Sequence, residues 1–233
     1  MNKTRKTIKF IDNRIDDGIT ILFILIFLIG CYFIYDSAYV FYNNSAGKIK
    51  AFKPEIINAE TLMQVGEDCV AWITIDNSDI DYPIMQGKDN AEYLNKAPDG
   101  SYSLAGSIFL DSRNKKDFTD NYSLIYGHNL SNKEMLGALI EWENQKYFKE
   151  HLVGTLTVGD VEYEYNVFAY AVVDTSDDVI FDPHFGNPMN FIKSKAINYV
   201  QPKDGKLVVL STCKSPTSTL RNILCGTIKE KGD

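Results

Sequence analysis

The sequence predicts a mainly β domain, an eight-stranded closed or nearly closed β-barrel with peripheral helices, preceded by an N-terminal transmembrane helix. Three observations carry that reading. Eight short apolar runs, each bounded by turn-forming residues, follow one another between residues 70 and 229. Helical periodicity is confined to a few short stretches among them. Ahead of them all, residues 19–35 carry no charge.

The uncharged run reads ITILFILIFLIGCYFIY. With Gly18 and the flanking Ser37-Ala38 it is just long enough to cross a hydrocarbon core. Lys3, Arg5, Lys6, Lys9 and Arg14 precede it, whereas Lys48, Lys50 and Lys53 follow only at a distance. The positive-inside rule therefore predicts a single-pass protein of the cell membrane, N-terminus cytoplasmic and C-terminal domain outside. A cleaved signal peptide is the rival reading. Asp36-Ser37-Ala38 is a poor small-x-small site and the apolar run is long for a signal, which favours an uncleaved anchor. The expected organisation is a cytoplasmic tail at 1–18, an anchor at 19–35, a juxtamembrane helical segment at 36–59 and the β domain at 60–233.

Size and charge narrow the function. The 233 residues are 45% hydrophobic and 24% charged, which fits one globular domain plus a tail. Net charge is −7, and residues 1–18 hold five basic and three acidic groups, leaving −9 on the remainder. That acidity argues against nucleic acid as a partner. Cys31 lies in the anchor; Cys69, Cys213 and Cys225 lie beyond it and cannot all pair with one another. A disulfide-built scaffold is not expected in a domain of this size. The cysteines lack CxxC spacing, and the acidic run at 174–178 lacks the glycine of an EF-hand loop, so no metal or cofactor is predicted.

Taken in order, residues 37–53 read as a juxtamembrane helix or stalk ended by Pro54. Ile56, Ala59 and Met63 recur at helical spacing. Strands follow at 70–75, 80–85, 107–110 and 122–126, with Pro83 favouring an edge or a bulge. A helical turn is expected at 90–94. Ser131-Asn132-Lys133-Glu134 matches a capping box and opens a helix to about Phe148, with Met135, Leu136, Leu139, Ile140 and Trp142 on its apolar face. Strands at 152–158 and 161–173 meet at the hairpin signal Gly159-Asp160. Asn187-Pro188 starts a helix that would bury Phe191, Ile192, Ala196 and Tyr199. Strands at 207–212 and 223–229 complete the domain.

The chemistry concentrates in Leu207 to Arg221, LVVLSTCKSPTSTLR. An apolar strand delivers Cys213 to the point where Lys214-Ser215-Pro216 turns the chain. Arg221 follows eight residues later and is one of only two arginines beyond the anchor, the other being Arg113. Upstream, His128 follows a second apolar strand in Ile125-Tyr126-Gly127-His128. Thiol, imidazole and guanidinium on strand ends would supply nucleophile, proton carrier and oxyanion donor. Each also has a plain reading: a thiol is as readily core, a lone His structural, an Arg half of a surface ion pair. Joint placement at strand ends favours the chemical reading. His151, near a helix end, and His184, in a loop, follow no apolar strand and read as surface residues.

Val209-Leu210-Ser211-Thr212-Cys213 followed by Arg221 resembles the sortase signature, TLxTC and then Arg on the next strand. Tyr126-Gly127-His128 matches the family's histidine segment, and the likeness runs over roughly residues 60–230. Val209 stands where the pattern usually has Thr, inside the strand. The long segment before the Cys strand is similar to class B sortases, which carry a helix there. The resemblance implies an eight-stranded barrel. It implies a cysteine transpeptidase with Cys213 as nucleophile, His128 as general acid/base and Arg221 stabilising oxyanion or substrate. Its substrates would be secreted proteins bearing a C-terminal sorting motif, NPQTN-like or PxTG-like, cleaved after Thr and passed to a cell-wall peptidoglycan precursor amine. A Cys–His peptidase without transfer, or a non-catalytic membrane-tethered binding domain with Cys213 in its core, are the alternatives from the residues alone.

Overall fold

A computed structural model describes residues 3–43, 53–130, 133–213 and 218–232, the side chains of 3–13, 40–43 and 213 excepted. The chain forms two units, residues 1–43 and 44–233. The first is one unbroken helix, α1 (Lys3–Asn43). Within it Arg14–Tyr39 is long and apolar enough to cross a membrane. The helix continues past residue 35, where the sequence reading ends the anchor, because neither Gly nor Pro occurs between Cys31 and Asn43 to stop it. Of the juxtamembrane helix or stalk expected at 37–53, residues 37–43 continue α1 and residues 44–52 lie outside the described residues.

The second unit is built on nine strands: β1 (Cys69–Ile75), β2 (Asp81–Met85), β3 (Ile108–Leu110), β4 (Tyr122–Tyr126), β5 (Val153–Val158), β6 (Val161–Asp174), β7 (Ala196–Tyr199), β8 (Lys206–Cys213) and β9 (Leu220–Glu230). The sheet runs β5-β1-β2-β3-β4-β8-β9-β6, and β6 pairs back onto β5. Eight strands thus close the barrel that the sequence predicts, and closure removes the exposed edges of an open sheet. Pairing is antiparallel except for β2–β3 and β4–β8. Pro83 pairs with Trp72 on β1, while contact with β3 begins only at Ile84, so its missing N–H interrupts no ladder on that side. Gly159 takes the first place of the β5–β6 turn with φ +58, a left-handed value that glycine adopts without strain.

The strand β7 is a departure from expectation. Phe191, Ile192, Ala196 and Tyr199 do not share one helix; α5 (Met189–Lys195) ends first, and residues 196–199 are extended. On β6, the edge facing β5 is covered over Val161–Asn166 only. Beyond it β7 takes up the free backbone at Ala169–Ala171. Asn198 fixes this ninth strand by donating from Nδ2 to the carbonyls of Trp142 and Glu143 at 2.8 and 2.9 Å. At the start of α5, Pro188 holds the cap place and Asn187 Oδ1 accepts from the Met189 N–H.

Two other helices also differ from their expectation. Asn58 and Thr61 form a reciprocal capping box that opens α2 (Ala59–Val65). Ile56 therefore precedes the helix, and the buried face is Leu62 and Val65, leaving Met63 at the surface. In place of the helix expected from the 131–134 capping box to about Phe148 there is a 3₁₀ helix, Leu136–Glu143, followed by α3 (Gln145–Glu150). Its buried Leu136, Leu139 and Trp142 recur every three residues, which matches the 3₁₀ turn. Asn144 breaks the run by capping α3 with its side-chain oxygen. Ser131 and Asn132 of the expected capping box lie outside the described residues. The remaining helical pieces are α4 (Asp178–Phe181) and a 3₁₀ turn at Glu92–Leu94, where a turn is expected.

Ile73, Ile125, Tyr165, Tyr170, Leu210 and Leu224 fill the barrel. A second apolar layer, with Leu124, Phe168, Ile180, Ile192, Val209 and Ile223, lies on its outer face under α4 and α5. Gly226 marks a tight point of the interior. A Cβ there would fall 2.4 Å from the ring of fully buried Tyr165. Gly226→Ala should therefore destabilise the domain by about 1–3 kcal/mol, the usual cost of overpacking. A denaturant midpoint equal to wild type would show that the Tyr165 ring yields instead.

Candidate active site

Strands β4 and β8 run parallel, from Tyr122↔Leu207 to Tyr126↔Ser211, so they deliver their ends to the same rim of the barrel. The chain leaves β4 through Gly127, whose N–H donates to the Ser211 carbonyl at 3.1 Å. A Cβ at Gly127 would lie 2.7 Å from the Leu136 side chain, so the close approach selects glycine. His128 follows directly. On the neighbouring strand Cys213 ends β8, its Cα paired with that of Arg221 near the start of β9. All three positions predicted from the sequence thus meet at one rim. The Cys213 side chain and the loop residues Lys214, Ser215 and Pro216 lie outside the described part.

Alternation sets which face carries them. Ile125, Leu210 and Leu224 point into the barrel, while Leu124, Val209 and Ile223 point to the outer layer. Tyr126, Ser211 and Arg221 belong to the outer series. There an open groove of ≈ 350 Å³ is lined by His128 and Arg221 together with Leu94, Tyr126, Phe181 and Ser211. His128 Nε2 lies 2.7 Å from the Leu94 carbonyl. Because a carbonyl can only accept, this contact puts a proton on Nε2 and fixes the ring. Arg221 Nη1 donates to the carbonyls of Ser218 (2.9 Å) and Leu220 (3.3 Å).

A second arginine organises the wall of the groove, and the sequence reading assigns it no role. Arg113 binds Asp111 through both legs of its fork, Nε to Oδ1 at 2.9 Å and Nη2 to Oδ2 at 2.7 Å. Asp111 Oδ2 also accepts from the Tyr126 hydroxyl at 3.1 Å and from Asn90 Nδ2 at 3.0 Å. Burial pushes the Asp111 carboxyl up, but Arg113 and the other donors outweigh burial and hold it below the usual carboxylate range. Burial, reinforced by Asp111, pushes the Tyr126 phenol up. Across the groove, Asp174 accepts from the Thr219 hydroxyl at 2.6 Å, and the Thr175 N–H donates to the Thr219 carbonyl at 3.0 Å. The only signal for either cluster in the sequence is local, Asp111-x-Arg113 and Asp174-x-Ser176.

The other candidates fall away from the site. His151 is buried rather than at the surface, stacked on Tyr147 at 3.7 Å between ring centroids. Its nitrogens meet the carbonyls of Tyr147 (2.7 Å) and Asn77 (3.0 Å), which makes it a packing residue. His184 is exposed beside a separate cavity of ≈ 770 Å³ around Tyr122 and Lys206, at the opposite end of β4 and β8. Cys69 and Cys225 are buried free thiols; burial pushes Cys69 up to about 12 and Cys225 higher still, so neither is a ready nucleophile.

Comparison with known proteins agrees with this architecture. Residues 73–228 match the family model of the sortase domain. The chain is 32% identical over 163 residues to sortase B of Listeria monocytogenes, covering 65% of each chain. It is 27% identical over 168 residues to sortase B of Staphylococcus aureus, covering 68% of each. The matched stretch thus spans about two thirds of those relatives' length. Among solved structures, a class B sortase of Streptococcus pyogenes involved in pilus biogenesis superposes with a TM-score of 0.67 at 36% identity, over 73% of this chain and 97% of that one. A Staphylococcus aureus sortase B–substrate complex gives 0.68 at 26%, over 74% and 85%. With the barrel, the rim that gathers positions 128, 213 and 221, and a family match across most of the domain, the chain belongs to the sortase family of cysteine transpeptidases and is most like its class B members.

Proposed function

We propose that this protein is a membrane-anchored, class B-like transpeptidase that joins secreted proteins to a cell-wall amine. One observation carries the reading: His128 and Arg221 line the same groove, and Arg221 is the strand partner of Cys213. His128 takes the thiol proton of Cys213, and the thiolate attacks the carbonyl carbon of a threonine in the substrate's C-terminal sorting motif, NPQTN-like or PxTG-like. Arg221 donates to the oxyanion that forms. As the C–N bond breaks, the departing amine takes a proton from His128, and a thioester remains on Cys213. An amine of a peptidoglycan precursor then attacks the thioester, loses its proton to His128 and expels the thiolate. The Leu94 carbonyl holds Nε2–H, which leaves Nδ1 to exchange the proton. The similarity to a sortase seen with its substrate, and to one that serves pilus biogenesis, supports a surface-protein substrate.

Cys213→Ala should abolish cleavage of sorting peptides while the domain stays folded. Turnover retained in that variant, with Cys69 and Cys225 intact, would remove Cys213 as nucleophile. Supplying an amine acceptor separates transfer from hydrolysis: a ligated product supports the transpeptidase, and a hydrolysed product alone supports a Cys–His peptidase.

Arg221 should act on the transition state more than on folding. Losing an oxyanion donor costs about 10²–10³ in kcat. Arg221→Ala should show that loss with little change in Tm, and Arg221→Lys should be impaired because an ammonium lacks the planar fork. Near-normal kcat/KM in both variants would take Arg221 out of the site.

The anchor reading places α1 in the membrane, its basic end in the cytoplasm and the barrel outside. Protease treatment of intact cells should remove the barrel domain and leave a membrane-bound N-terminal fragment. Full protection of the domain would reverse the orientation.

A further inference from the structure

Two arginines lie beyond α1, and the proposed chemistry uses only Arg221. Arg113 does not line the groove. It grips the fully buried Asp111 carboxylate, and the same Nη2 donates to the Phe181 carbonyl at 2.7 Å while Nη1 reaches Asp182 Oδ1 at 3.4 Å. One planar group therefore joins the turn after β3 to the segment 175–188 that overhangs the site. On the other side, Asp111 Oδ2 holds Tyr126 and Asn90. Tyr126, Asn90 and Phe181 all line the groove with His128. Its two walls are thus tied to each other through a single ion pair whose carboxylate is fully buried, behind the surface a substrate would touch.

We propose that Arg113 is a positioning residue for substrate: through Asp111 it sets the distance between the Phe181 wall and the Tyr126–Asn90 wall, and so the width of the groove that receives the peptide. This rests on the peptide-transfer reading above. The geometry calls for arginine, because three of its nitrogens are engaged at once on a carboxylate, a carbonyl and a second carboxylate. Lysine offers one ammonium and cannot make the fork. The Arg113 side chain is 41% exposed, so Arg113→Lys removes the fork while keeping a cation beside the buried Asp111 carboxylate.

The test compares Arg113→Lys and Arg113→Ala with wild type in four measurements. These are kcat and KM on a sorting peptide, the rate of Cys213 alkylation by iodoacetamide, Tm, and deuterium exchange over residues 175–188. The expected result is a rise of about tenfold in KM, the scale of one lost charge-assisted hydrogen bond, with kcat and alkylation rate little changed and exchange faster in 175–188. A substrate-positioning role predicts that split; a purely structural one lowers Tm and leaves KM alone. Unchanged KM in both variants overturns the proposal. So does a fall in kcat at constant KM, which would place Arg113 in the chemistry, or loss of the fold in both variants. If wild type cleaves no peptide, the transfer reading fails, and the exchange comparison still decides the clamp: equal exchange in wild type and Arg113→Lys overturns it.

Discussion

The parallel pairing of β4 with β8 is the constraint from which the site follows. Antiparallel neighbours would have sent His128 and Cys213 to opposite rims. Parallel strands leave the sheet on the same side, and five consecutive residue pairs fix their register. The antiparallel partner β9 then starts where β8 ends, which brings Arg221 opposite Cys213. Backbone hydrogen bonding therefore sets the relative place of three residues that lie far apart in the chain. Parallel pairing requires a long crossover, and here it is β5, β6, β7 and the helices between them. That crossover also supplies the overhanging segment 175–188, so one topological choice delivers both the floor and a wall of the groove.

Packing keeps the floor rigid. The barrel is filled by large side chains such as Tyr165, Tyr170 and Trp142, each almost wholly buried, and the outer apolar layer clamps the same strands from the other face. Satisfaction of polar groups is poorest at the site. Among the described residues, Ser211 Oγ, Thr212 Oγ1, Asn222 Nδ2 and Thr227 Oγ1 are buried with no hydrogen-bond partner. Three of these four belong to the last turns of strand before Cys213 and after Arg221, and Thr212 and Asn222 face each other in register. These three groups lie beside positions 213 and 221 at the same rim of the barrel.

Most of the barrel was legible because its strands announce themselves twice, by apolar runs and by the turns that end them. Seven of the eight barrel strands begin and end within a residue of their expected places, and the last, β9, begins three residues early, at Leu220. What failed failed for reasons of period and context. Apolar residues at 136, 139 and 142 fit a 3₁₀ turn as well as an α-helix at that length, and only Asn144 capping a second helix separates them. Residues 196–199 became a strand because β6 outran β5 and left an edge to be filled, a fact of tertiary pairing that local spacing does not contain. Positions 128 and 213 stand out in the sequence because each follows an apolar strand, and position 221 because it follows Cys213 closely and is one of two arginines beyond the anchor. Arg113 could not be given its role, since its informative partners, Phe181 and Asp182, lie in a loop that no periodicity connects to it.

The two attachments of segment 175–188 differ in kind, and the difference has a direction. At the Thr175 end, Asp174 is tied to the β8–β9 connection through a neutral hydroxyl, Thr219, and by backbone contact. That carboxyl is held down to about 2, first by Thr219 and then by Ser176, yet it stands in solvent, where water competes for each bond. At the Phe181 end, the tie runs through Asp111, whose side chain is wholly out of water, and through a guanidinium that is charged at any pH the protein meets. A charge-assisted fork in a desolvated place is the stronger of the two. The wall is therefore fixed at Phe181, over the groove, and more loosely held where Asp174 and Thr175 meet Thr219. The spacing of Phe181 and Tyr126 is accordingly held more firmly than the junction at Thr175.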